Sequence, residues 1–373
     1  HVSNYASAWL ISALEFPSHY NRIETRCYNH FMFHLLRLLE SIKSRVKPPV
    51  VIMMGSPAQA ADLCSGLGDL ETVCYQMDLH QADRLRQHLS EIGLSAKVET
   101  LPDLWDLPTQ FNTAIFPVAA HGERELKLDL LEQSFHVLEP HGLLISLSEY
   151  QADSLLPKWH KKIFGKCSEL PTSKNGSVFW SVRDGERPRR RHELSFRAKL
   201  GEGPAHAFHS QPGVFGYGEL DGGARAMLEI AEIRPGDRVL DLGCGHGAAG
   251  ILAMDRAGLE GHLTLVDSNV RAIALAESNA KENGLVNFRC VTTATIDGLE
   301  PGSFDVILAN PPYYANSWIA QMFIEKGKPL LKPGGRLFLV TKMVNHVAPL
   351  MAISFPDSTW EERRGYHVLR GDA

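Results

Sequence analysis

The chain has 373 residues, 44% apolar and 22% charged, with 38 basic against 43 acidic side chains and a formal net charge of −5. That length suits two domains better than one core, and the acidic balance excludes a globally basic nucleic-acid binder, so any such contact must be local. No run approaches the ~18 apolar residues of a membrane span, nothing reads as a signal peptide, and the six cysteines show no CxxC pair, which argues against zinc and for reduced thiols in a cytoplasmic protein.

Along the chain, Tyr28 to Ile42 carries apolar residues at helical spacing and reads as an amphipathic helix. His30 and His34 lie four apart on it and are read as helix-surface histidines, because no third ligand sits nearby. Pro48-Pro49 breaks the chain, and Val50-Val-Ile-Met-Met-Gly55 begins a strand and turn. From there the chain repeats itself. Gly55 matches Gly243, Asp78 matches Asp267, Phe111 matches Phe304, and Leu138-Glu-Pro-His-Gly142 matches Leu331-Lys-Pro-Gly-Gly335, at separations of 188, 189, 193 and 193 residues. Four landmarks in one order at a nearly constant offset predict the same alternating strand-helix domain twice. The first copy has Met53-Met-Gly-Ser-Pro-Ala-Gln59 where the second has a glycine-rich loop, and Pro117-Val-Ala-Ala120 where the second has Asn310-Pro311-Pro312-Tyr313. It therefore reads as a fold without a cofactor loop.

Residues 158–199 hold twelve Lys or Arg against four acids, a net of +8, which leaves −13 for the rest of the chain. The middle of this stretch, Arg183 to His192, is turn-rich and reads as an interdomain link. Gln211-Pro-Gly-Val-Phe215 and Asp221-Gly-Gly-Ala follow; their glycine density suits either a loop lying over a ligand or a simple approach to the next helix.

Arg238 to Gly250 then reads R-V-L-D-L-G-C-G-H-G-A-A-G, an apolar strand ending in three glycines before a helix. Such a loop lets backbone approach a ligand and offers it the positive end of a helix. Gly243-x-Gly245-x-x-Ala248 satisfies the loose dinucleotide fingerprint. D-x-G-x-G-x-G fits S-adenosylmethionine instead, with Asp241 facing its amino group, and a carboxylate there would repel a pyrophosphate. Asp267, ending His262-Leu-Thr-Leu-Val-Asp267, is placed for ribose hydroxyls under both readings. Val270 to Gly284 is a helix with its glycine stop, and Thr293-Ala294-Thr295 ends the following strand where an adenine would lie. Lys332-Pro-Gly-Gly-Arg336 reads as a structural turn.

Asn310-Pro311-Pro312-Tyr313, after the strand-like Phe304 to Ala309, separates the two readings. No dinucleotide enzyme needs that tetrapeptide, whereas methyltransferases acting on a planar nitrogen use it. The Asn310 side-chain oxygen and the Pro311 carbonyl are placed to accept the N–H bonds of an exocyclic amine, with no metal and no covalent intermediate. Tyr313 is placed to stack on a flipped or unpaired base.

On these motifs, with Gly213-Val-Phe215 before the cofactor strand, the chain resembles the ribosomal RNA guanine-N2 methyltransferases, especially the small-subunit methyltransferase C group. The resemblance is most specific between Gly213 and Gly335. It implies an α/β fold of two tandem Rossmann-like class I methyltransferase domains, each a mostly parallel seven-stranded sheet. The expected divisions are a degenerate domain at 1–184 that supports or docks substrate, a basic linker at 185–212, and a catalytic domain at 213–373. The expected cofactor set is Asp241, Gly243, Cys244, Gly245, Gly247, Asp267, Ser268, Ala294 and Asn310; the catalytic set is Asn310, Pro311, Pro312 and Tyr313. Arg187, Arg189, Arg190 and Arg191 are expected to meet RNA phosphates. The implied reaction is transfer from S-adenosylmethionine to guanine N2 in 16S rRNA by a monomer that needs neither metal nor membrane. Two departures bear on the target. Tyr313-Tyr314 stands where that group has Phe-His, and Gly216-Tyr-Gly-Glu where it has a Ser-Arg pair. Large-subunit guanine-N2, adenine-N6 and protein glutamine-N5 transfer are the neighbouring enzyme readings. A Rossmann oxidoreductase is disfavoured by Asp241, and a catalytically dead RNA-binding protein by the intact glycine loop and N-P-P-Y.

Overall fold

The computed structural model describes residues 35–119, 121–171, 173–312 and 317–373. The expected helix is present over its described part, 35–40; His30 and His34 lie outside the described residues. The chain divides into two compact units, His1–His192 and Glu193–Ala373.

In the first unit, strands β1 (Val50–Met53), β2 (Thr72–Gln76), β3 (Lys97–Thr100), β4 (Phe111–Val118), β5 (Leu138–Ser148), β6 (Ser168–Glu169) and β7 (Ser177–Val182) form one sheet in the order β3-β2-β1-β4-β5-β7-β6. The first five strands run parallel and the last two pair antiparallel. The second unit begins with a hairpin, β8 (Leu194–Ala198) and β9 (His206–Ser210). Its sheet holds β10 (Arg238–Leu242), β11 (His262–Asp267), β12 (Phe288–Thr292), β13 (Phe304–Ala309), β14 (Leu331–Thr341), β15 (Thr359–Arg363) and β16 (Tyr366–Asp372) in the order β12-β11-β10-β13-β14-β16-β15. The two orders are the same, strand for strand, as the repeat predicts. All four residues of β1, and all of β10 but Arg238, are buried. Parallel strands covered by helices on both faces require such unbroken apolar runs.

The repeat extends to a shared irregularity. Phe111 pairs with Leu138 and Thr113 with Leu143, while Phe304 pairs with Leu331 and Val306 with Arg336, so each sheet skips residues at the same place. A Cβ on Gly142 would lie 2.8 Å from the Glu139 carbonyl and 3.1 Å from that of Phe111; on Gly335 it would lie 2.9 Å from Lys332 and 3.0 Å from Phe304. Those glycines are structural in both copies.

The two copies part at the loop after the first strand of each. In unit 1, Ser56 and Gln59 form a reciprocal capping box that satisfies the first turn of α1 (Pro57–Leu67). Pro117, at the position Asn310 occupies in the repeat, sets its Cγ 2.8 Å from where a Gly55 Cβ would stand. The unit has filled the place of a ligand with its own side chains.

The basic stretch is divided between the units. Arg183 hydrogen-bonds through its backbone to His141 and Gly142 of unit 1. The hairpin β8–β9 belongs to unit 2, where Asn279 and Asn283 of helix α7 (Val270–Glu282 and its C-cap) exchange hydrogen bonds with the backbone of His209 and Ala207. The division falls after His192, within the 185–212 stretch expected as a linker, and there Leu194-Ser-Phe-Arg-Ala and His206-Ala-Phe-His-Ser pair with each other and bury Phe208.

Gly335→Ala should cost about 1–3 kcal/mol of unit 2 stability, read by chemical denaturation. A variant as stable as the parent would remove the steric reading of this turn.

Candidate active site at the carboxyl ends of β10, β11 and β13

The site is built on the central strands, where crossovers in parallel sheets open a crevice beyond the carboxyl ends. After β10 the chain turns through Gly243, Gly245 and Gly247 at φ of 73°, 54° and 84°, a region that side chains other than glycine's rarely adopt. The Val266 carbonyl accepts from both Gly243 N (2.8 Å) and Cys244 N (2.9 Å). This pulls the ribbon across the end of β11, and Asp267 Oδ2 then accepts from Gly245 N at 2.9 Å. Helix α6 (Ala248–Ala257) starts after Gly247 with no side-chain cap, in contrast to the capped α1.

Asp241 is 3% exposed, and its Oδ2 accepts from Gly250 N at 2.8 Å. The sequence expectation set this carboxylate against a cofactor amino group; the structure sets it against the backbone of α6. It stands on a strand buried on both faces, where the helix overhead is what it meets. Burial pushes its carboxyl up to about 7, the Gly250 N–H pulling the other way and Asp267 adding to the rise. Cys244 is buried beside it, its thiol pushed well above the usual range by burial and by Asp267 and Asp241.

Asp267 Oδ1 accepts from Asn269 N at 2.9 Å, and the Asp267 carbonyl accepts from Thr293 N at 3.0 Å. The expected Ser268 and Ala294 are thus brought beside Asp267, both half-buried. Asn310 ends β13, whose Ala309 is in register with Leu242 of β10. Pro311 is buried and Pro312 half-buried; Tyr313 lies outside the described residues. The Asn310 Nδ2 donates to Asp221 Oδ2 at 2.9 Å. Asp221 is the N-cap of helix α5 (Gly222–Ile230), and the same oxygen accepts from Gly223 N (2.8 Å) and Ala224 N (3.0 Å).

Three further residues that sequence reasoning passed over hold the loop at 211–218. Arg271, 1% exposed, donates through Nη1 to the Pro212 carbonyl at 2.6 Å. Asn269 Nδ2 donates to the Gly213 carbonyl at 2.8 Å. His246 Nε2 lies 3.1 Å from the Gly216 carbonyl. A Cβ on Gly245 would lie 3.3 Å from the Phe215 carbonyl, so the Gly213-Val-Phe215 segment rests on the glycine ribbon. Of the two readings of this loop, the structure supports the one that lays it over the cofactor ribbon.

The four arginines are placed on unit 1. Arg187 pairs with the fully buried Glu132 at 2.8 Å and donates to the Ile163 carbonyl. Arg191 pairs with Asp103 at 2.5 Å, and Arg189 and Arg191 each lie 5.3 Å from the Trp105 ring. Arg189, Arg190 and Arg191 are exposed. Arg187 and Arg191 thus tie the segment to its own unit, whatever else it meets.

Residues 205–370 match the family model of the methyltransferase small domain. That match falls within the C-terminal unit. A ribosomal RNA small subunit methyltransferase C of Pseudomonas entomophila is 30% identical over 216 residues, 56% of this chain and 64% of that protein. A ribosomal RNA large subunit methyltransferase G of Aeromonas hydrophila is 35% identical over 147 residues, 37% of this chain and 38% of the relative. This chain thus spans less than two thirds of the length of either. A T. thermophilus 16S rRNA N2 methyltransferase, solved with AdoMet and guanosine, shares the fold over 91% of each chain at a TM-score of 0.70 and 21% identity. At that identity the likeness shows a shared fold over both units.

The methyltransferase small domain takes S-adenosylmethionine, and its residues here fit that cofactor. Asp267, half-buried beside the ribbon, puts a carboxylate where a pyrophosphate would be disfavoured, and the glycines at 243, 245 and 247 let the backbone approach a ligand closely. Among the described residues no helix is long and apolar enough to cross a membrane, and no group of three or more His, Cys, Asp or Glu is placed to hold a metal.

Arg187→Ala should destabilise unit 1 by roughly 3–5 kcal/mol, because Glu132 is left buried without its partner; thermal and chemical unfolding read this directly. For Asp241, the folded carboxyl near 7 holds a proton that the unfolded one releases above about 4. Stability of the ligand-free second unit should therefore fall as pH rises through that window. Asp241→Asn, which still accepts from Gly250 N, should flatten the slope.

Proposed function

We propose that this chain is an S-adenosylmethionine-dependent methyltransferase that acts on the exocyclic N2 of a guanine in small-subunit ribosomal RNA. Asn310 carries the reading. It stands at the end of β13, next in the sheet to the strand that launches the glycine ribbon, with its amide nitrogen held by Asp221. That leaves its carbonyl oxygen as the end turned from the carboxylate. The relatives in both ribosomal subunits support RNA as substrate, and the N2 and guanosine in the T. thermophilus description support the atom.

S-adenosylmethionine supplies, when bound, a methyl carbon on a positively charged sulfur. The protein's task is the nucleophile. An exocyclic amine is weakly nucleophilic because its lone pair is delocalised into the ring. Asn310 Oδ1 and the Pro311 carbonyl accept its two N–H bonds, which favours a lone pair localised on the nitrogen and aims it at the methyl group. The nitrogen–carbon bond would form as the carbon–sulfur bond breaks, leaving a neutral thioether and moving the positive charge onto the nitrogen beside those two oxygens, and one N–H proton would pass to solvent as the product leaves. The Gly213-Val-Phe215 segment over the ribbon keeps water from the reacting pair. Unit 1, with its own loop capped and filled, supports unit 2 or docks RNA through exposed Arg189 and Arg190. The enzyme is expected to work in the cytoplasm as a monomer.

A second reading, guanine N2 in large-subunit RNA, is favoured by the Aeromonas relative. Transfer of labelled methyl to rRNA from a strain lacking this protein, followed by nucleoside analysis of the separated subunit RNAs, tests both. Label is expected in N2-methylguanosine of 16S rRNA. Label in 23S rRNA selects the second reading, and N6-methyladenosine or labelled protein removes both. Asn310→Ala should lower turnover about 100- to 1000-fold with cofactor binding near that of the parent; unchanged turnover would remove Asn310 from the mechanism.

A further inference from the structure

We infer that Asp221 is a positioning residue for the methyl-accepting amine, acting through Asn310; the inference rests on the function proposed above. Nothing in the sequence joins the two residues, which lie 89 positions apart. In the fold, Asp221 Oδ2 receives three N–H bonds: 2.8 Å from Gly223, 3.0 Å from Ala224 and 2.9 Å from Asn310 Nδ2. The first two come from the opening turn of α5, whose positive end holds the carboxylate in place.

The third bond decides the chemistry of the site. A side-chain amide has a donor end and an acceptor end of nearly the same shape, and free rotation would present either one to a substrate. A carboxylate already taking N–H bonds is acceptor-only, so only the nitrogen of Asn310 can face it. The oxygen is then the end offered to the incoming N–H. Without Asp221 the amide can turn over and present a donor to a donor, which repels the amine. The bond to a carboxylate also draws electron density toward Oδ1, strengthening it as an acceptor where positive charge develops. Capping α5 alone would require none of this, because the helix is capped by the bonds to Gly223 and Ala224.

That difference gives the test. Serine caps helices as well as aspartate but is too short to reach Asn310. Asp221→Ser should therefore melt within a few degrees of the parent and bind S-adenosylmethionine with unchanged affinity. Its kcat on rRNA should fall roughly 10- to 100-fold with little change in KM. The exchange D221N/N310D, which restores an amide–carboxylate pair with the donor reversed, should be at least about tenfold more active than N310D, where two carboxylates face each other. A kcat for Asp221→Ser within about twofold of the parent would overturn the inference. The Asn310 side-chain amide resonances of the 15N-labelled full chain, recorded without RNA, give a readout independent of activity. One proton should be shifted downfield and slow to exchange in the parent, and neither in Asp221→Ser; identical resonances in both would overturn the inference. If the parent transfers no methyl to rRNA, the proposed function fails, and these spectra still decide whether Asp221 fixes the amide.

Discussion

Two carboxylates hold one strip of glycine backbone, and the catalytic unit is arranged around that hold. Asp267 takes the N–H of Gly245 and Asp241 that of Gly250, so the chain between β10 and α6 is pinned at both ends. Neither contact is made by a side chain of the strip itself, which is why three glycines can run through it at positive φ without the segment becoming loose. The strip in turn supports the Gly213-Val-Phe215 segment, and the register of β13 on β10 sets Asn310 at the same edge. Removing either carboxylate would loosen the ribbon and the segment resting on it.

The first unit shows the same sheet under different local chemistry. Its topology, its skipped residues between the fourth and fifth strands and its crowded Gly142 are those of the second unit. What differs is a few side chains at the ligand end. Ser56 and Gln59 satisfy the helix that would otherwise offer donors, and Pro117 packs where Gly55 leaves room. A sheet of this kind is stabilised by its buried apolar strands, which do not care what lies beyond their ends, so one copy can lose its site and keep its fold.

Much of this was legible in the sequence. Landmarks at a near-constant offset announce the duplication, and the three glycines announce the turn after β10 that Asp267 holds, because each is dictated by local backbone or by the chemistry of one residue type. What was not legible depends on direction or on distant partners. The sequence does not say that the Asp241 carboxylate turns to α6. Asp221 looks like the cap of any helix, and its bond to Asn310 exists only once the sheet brings the two together. Arg271 sits among small residues of α7 and gives no hint that it reaches Pro212. The hairpin at 194–210 is hard to read because its short alternation of apolar and polar residues lies at the end of a strongly basic stretch.

Cys244 lies in the middle of the ribbon, and under the proposed function a reactive methyl donor would bind beside it. A sulfur nucleophile there would be a hazard, since thiolates attack sulfonium methyl groups readily and a methylated loop would no longer pack. Burial and the two neighbouring acids keep this sulfur protonated well beyond neutral pH, and it is the thiolate that reacts. Under the proposed function, the same carboxylates that hold the ribbon would thereby protect the enzyme from alkylating itself.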